Sequence, residues 1–78
     1  MDMSKTGKEQ HIEDMSKAGF KFIKETGQVE IYMHRQLNVY CNYNWKEDFY
    51  QTSGEFGDGT FSRLQDLKYW LTESIRNA

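Results

Sequence analysis

The sequence has no proline, one cysteine and two histidines in 78 residues, and each shortage excludes something. With Cys41 alone, no disulfide can form within the chain. Cys41, His11 and His34 are the only thiol and imidazole groups, and their spacing fits no zinc module, so no metal is expected. No apolar run approaches the roughly 20 residues of a membrane-spanning helix. There is no basic excess either. Net charge is −2, with acids and bases interspersed, whereas nucleic-acid binders usually carry a basic stripe. The opening stretch MDMSKTGKEQ is too polar for a secretory signal, and with a single thiol a reducing, cytoplasmic location is expected.

What the chain does hold is aromatic. Phe, Trp and Tyr make up 15% of it, which argues for a folded domain over disorder despite the low mean hydropathy. The length sets one domain, residues 1–78. A chain this short buries only about 60–65% of the surface its unfolded form exposes, so assembly into a homo-oligomer stays open as a further source of burial.

Residues 1–19 read as a short, marginal N-terminal helix. Thr6 and Glu9 form a T-x-x-E capping box, Ile12 and Met15 supply a thin apolar stripe, and Gly19 sits where a left-handed cap ends a helix. Residues 20–56 read as an antiparallel sheet of three to four strands. Phe20, Phe22 and Ile23 open the first, Thr26-Gly27 turns the chain, and strict alternation begins at Gln28. KED after Trp45 is a turn, FYQTSGEF a further strand, and GDG at 57–59 a loop. Residues 62–77 read as the strongest helix, with Ser62 and Gln65 as its capping box and Leu64, Leu67, Leu71 and Ile75 as its stripe. The expected fold is a two-layer α+β domain in the order α-β-β-β-β-α, its C-terminal helix laid on one face of the sheet.

The stretch LNVYCNYNW bears most on function. An odd-numbered loop centred on Arg35 sets Val29, Ile31, Met33, Leu37, Val39 and Cys41 on one apolar face. Glu30, Tyr32, His34, Asn38, Tyr40 and Asn42 then share the opposite face, uncovered by helices, with Tyr50 beside them. Tyrosine offers large contact area at low entropy cost, and asparagine offers adaptable hydrogen bonds. Solvent-side tyrosines also hold small sheets together with no partner at all. Read as a site, the face takes a protein partner through Tyr32, His34, Asn38, Tyr40, Asn42 and Tyr50. Replacing Tyr32 and Tyr40 with alanine should then cost binding and spare the fold. Glu47, Asp48, Glu55 and Asp58 would add a secondary acidic contact for a basic partner.

Catalysis finds little support. Cys41 falls on the core face, away from His34, and behaves as a small hydrophobe. Glu13-Asp14 and Glu47-Asp48 are adjacent pairs whose side chains diverge. EFGDGT lacks both the spacing of a calcium loop and the lysine of a phosphate loop. No cofactor is expected, and the chain reads as non-enzymatic. A sheet that leads into TFSRLQDLKYWL is similar to small accessory proteins of phages and mobile elements. No motif here names a family; some of these proteins, such as anti-CRISPR proteins, are stoichiometric inhibitors of nucleic-acid enzymes, and an inhibitor of that kind is expected from how common such small, acidic, non-catalytic domains are rather than from any residue. Two alternatives rank behind a protein-binding module: weak single-stranded nucleic-acid binding by the same face, and a self-assembling structural protein.

Overall fold

The computed structural model describes residues 7–77. Helix α1 (Gly7–Lys17) precedes strands β1 (Phe20–Thr26), β2 (Val29–His34), β3 (Val39–Asn44), β4 (Phe49–Gly54) and β5 (Gly59–Phe61), and helix α2 (Leu64–Arg76) closes the chain. The strands pair antiparallel in sequence order, β1-β2-β3-β4-β5. The fold is α+β as expected, with five strands in place of three to four. The extra one is GTF, three residues long, too short to show an alternation of its own.

Both helices lie on one face of the sheet. Met15 of α1 and Leu67 and Leu71 of α2 form a single core with Phe20, Tyr32, Val39, Cys41 and Tyr50. Those strand residues share a face because Tyr32 stands opposite Cys41 and Phe20 opposite His34. The register between β2 and β3 therefore differs from the one expected. The connection is residues 35–38, an even number, and Met33 faces Tyr40. That shift of one residue exchanges the faces of β2. Glu30, Tyr32 and His34 go under the helices with Val39 and Cys41, while Val29, Ile31 and Met33 go to the open side.

A bulge in β1 shows why. Thr26 pairs with Val29 across the Gly27-Gln28 turn, but the register slips between Phe22 and Lys24, and Phe22 ends opposite Tyr32. The extra residue, Ile23, is left exposed. The slip carries Phe20 and Phe22 to the same face as Tyr32, so the widest rings of β1 and β2 are buried together. Each such ring buries about 150–250 Å², more than Val29 or Ile31 could offer in its place.

The helix ends follow local chemistry. α1 stops at Gly19, whose φ of 98° is left-handed, and a Cβ there would lie 2.4 Å from His34 Nε2. Thr6 of the expected capping box lies outside the described residues. Ser62 does not cap α2. The N-cap is Arg63, with no side-chain hydrogen bond, because β5 occupies the chain up to Phe61 and leaves Ser62 in the connection. Leu67 and Leu71 are buried, whereas Ile75 and Tyr69 are exposed.

Candidate functional site

The open face of the sheet is built by position. On β1 it presents Lys21 and Lys24, on β2 Ile31 and Met33, on β3 Tyr40 and Asn42, and on β4 Gln51 and Ser53. Tyr40 occupies the central strand and is 45% exposed, an aromatic ring with Met33 directly across on one side and Ser53 on the other. Asp58 stands beside Asn42, Gln51 and Ser53 around a shallow hollow. The face thus runs from a cationic edge at β1, through an apolar and aromatic centre, to an acidic edge near β5.

Six residues were expected on a displayed face, and the structure divides them. Asn38, Tyr40 and Asn42 are exposed. Tyr32, His34 and Tyr50 are buried among the core residues, because the register puts them beneath the helices. The acidic set is divided too. Glu47 and Asp48 belong to the β3–β4 turn and Glu55 and Asp58 to the β4–β5 connection, so a strand of about 17 Å separates the pairs. Asp48 accepts the Tyr43 hydroxyl at 2.8 Å, and Glu55 accepts the Asn38 backbone N–H at 3.3 Å. Cys41 is fully buried, as expected, and burial pushes its thiol up to about 12. His34 shares its face after all. Its Nδ1 accepts the backbone N–H groups of Gln36 and Leu37, each at 3.2 Å, which folds the 35–38 connection around the ring.

The covered face holds a polar cluster that the alternation pattern gave no reason to expect. Tyr32 donates its hydroxyl to Glu30 Oε1 at 2.6 Å. His11 places Nδ1 3.3 Å from the same oxygen and Nε2 2.8 Å from the Tyr50 hydroxyl. One tautomer satisfies all of these: Tyr50 O–H donates to Nε2, and Nδ1–H points at Glu30. The His11 ring also lies over Tyr43, centroids 4.2 Å apart. Burial, then the Glu30 acceptor, raises the Tyr32 phenol far above its usual range, and burial likewise raises Tyr50. Tyr43 is pushed up to about 12, by burial first and by its bond to Asp48 second. A glutamate between apolar residues reads as a solvent position in sequence, and only α1 laid over β2 gives it a histidine partner.

Beside this cluster a cleft of about 490 Å³ opens between the start of α1 and the ends of β2 and β3. Its lining includes Lys8, His11, Glu25, Glu30, Tyr43 and Trp45. Trp45 is half exposed, yet its backbone is fixed. Its N–H reaches the Gln28 carbonyl at 3.0 Å, and Asn44 Oδ1 ties the turn by accepting the N–H groups of Lys46 and Glu47. Among the described residues no cluster of three or more His, Cys, Asp or Glu could hold a metal ion, and no helix is long and apolar enough to cross a membrane.

Comparison with family models, with curated proteins and with solved structures finds no match to this chain.

Proposed function

We propose that the protein is a non-enzymatic interaction module that binds another protein through the open face of its sheet. Tyr40 is the centre of the contact, Ile31 and Met33 are its apolar floor, and Asn38 and Asn42 supply hydrogen bonds. Lys21 and Lys24 favour a partner with acidic residues at one edge of its footprint. The observation that carries the reading is the 45% exposure of Tyr40 in the middle strand of a face that neither helix covers. Occupancy is the mode of action: a small domain acts by covering part of its partner, as the stoichiometric inhibitors of phages and mobile elements do.

A second reading rests on the two lysines. The strand positions of the open face carry Lys21 and Lys24 and no carboxylate, which would let single-stranded nucleic acid stack on Tyr40 with its phosphates along β1. Such binding would fall steeply with salt.

A photo-reactive phenylalanine placed at Tyr40, and in a separate chain at Tyr69, tests the protein reading in a lysate of the source organism. Tyr69 is a fair control because it is 68% exposed on α2. A protein adduct formed at position 40, absent at 69 and unaffected by nuclease, supports the module. Adducts of equal yield at both positions contradict it, nucleic-acid adducts promote the second reading, and adducts with the chain itself identify self-assembly.

A further inference from the structure

We infer that the cleft between α1 and the ends of β2 and β3 is a binding site for an organic cation, an alkylammonium or guanidinium group. It lies on the covered side of the sheet and is independent of the open face. At about 490 Å³ it falls within the size range of small-ligand sites.

Three features select a cation. The first is the pair of carboxylates, Glu25 and Glu30, in its lining. The Glu30 side chain is 3% exposed, and the bonds it receives from Tyr32 and His11 both fall on Oε1. The second is aromatic surface, since Tyr43 and Trp45 also line the cleft, and ring faces attract ammonium and guanidinium groups. The third is that the chain already puts a cation there. The Lys8 ammonium bonds to Glu25, so an amine of this chain partly occupies the chemistry we assign to a ligand.

Trp45 makes the site more than a solvated gap. The Trp45 ring stands in the lining, and the backbone that carries it is held by the Asn44 turn and the Gln28 carbonyl. With the backbone already fixed, only the rotamer freedom of the ring is lost when a cation docks on it. The Lys8 side chain is 49% exposed, so an incoming cation can displace it toward water.

The test is a titration of the full chain with n-butylammonium chloride, followed by NMR at the backbone N–H groups of Glu30 and Tyr43, with the Trp45 indole N–H as a further reporter in chains that keep it, and with n-butanol and potassium chloride as controls. The expected result is a saturable shift with butylammonium and none with either control. Glu30→Gln, which keeps an acceptor for Tyr32, should weaken binding about tenfold or more. Trp45→Ala should weaken it roughly two- to fivefold. Lys8→Ala should tighten it, because Glu25 is released, and this exposed change leaves the core untouched if Glu30→Gln proves unstable. A blocked Gly-Lys-Gly peptide that binds more tightly than butylammonium assigns the cation to a protein side chain, and weaker binding assigns it to a free amine. Equal response to butanol, no saturable shift, or an affinity unmoved in both Glu30→Gln and Lys8→Ala overturns the inference.

Discussion

Tyr32 donates its hydroxyl to Glu30 at 2.6 Å beneath the two helices, two residues apart on one strand and both nearly closed to solvent. The pair makes Tyr32 a core residue with a polar obligation. Tyr32→Phe should destabilise the fold by about 1–3 kcal/mol, since Glu30 loses a donor while staying buried. Tyr32→Ala should cost about 3–5 kcal/mol. Urea unfolding of both variants gives the values, and a neutral Tyr32→Ala would contradict the assignment.

Tyr40→Ala should behave in the opposite way. Its ring is on the open face, so stability should change by no more than about 0.5 kcal/mol, while binding to the photo-crosslinked partner is lost. A stable Tyr40→Ala chain that binds normally would contradict the proposed contact.

Gly19→Ala should be among the most damaging small substitutions. The backbone there has φ 98°, which costs a residue with a side chain about 1–3 kcal/mol, and the new methyl would meet His34 Nε2 at 2.4 Å. Trimming the ring in the same chain, with His34→Ser, should recover part of that loss. A strictly additive double mutant would show that the two residues do not touch.

His34 gives a pH dependence at the acid end. Its pKa is lowered from 6.5, by burial first, with Arg35 adding to the shift and a hydrogen bond to Ala18 opposing it. The unfolded chain therefore takes up a proton before the folded one does, and stability falls as pH drops below 6.5 toward the lower folded value. His34→Gln should flatten that slope in a series of urea midpoints, and an unchanged slope would assign the effect elsewhere.

At the alkaline end the sign reverses. Tyr43, raised from 10.0 to about 12, keeps its proton in the fold after the unfolded chain has lost it, as do Tyr32 and Tyr50. Stability should hold up to about pH 10 and fall from there through pH 12. Tyr43→Phe should make the fall shallower.

The order of elements was legible because each carries its own signal: a leucine stripe for α2, a glycine stop for α1, alternation in β2 and β3. The faces were harder. β2 alternates Val29, Ile31 and Met33 against Glu30, Tyr32 and His34, and both sets can be buried. Counting aliphatic residues selects the first, whereas the fold selects the second, for Tyr32 and Glu30 satisfy each other and the bulge at Ile23 brings Phe20 and Phe22 alongside. A bulge leaves no mark in a hydropathy pattern. β5 has no sequence signature because Gly59–Phe61 is too short for a period, and the cleft has none because Lys8, Glu30 and Trp45 are remote in sequence and meet only when α1 crosses the strands. Tyr40 and Asn42, with Asn38 just before them, are legible as exposed because β3 alternates polar against apolar and its own faces are unambiguous.

The central claim is that the displayed face carries Tyr40 and not Tyr32, and nitration of tyrosines in the native protein, mapped by peptide mass, tests it most directly. Modification of Tyr40 and Tyr69 with Tyr32 and Tyr50 spared is the predicted result. Tyr32 nitrated as readily as Tyr40 would put both rings on one open face and contradict the register on which the proposed site stands.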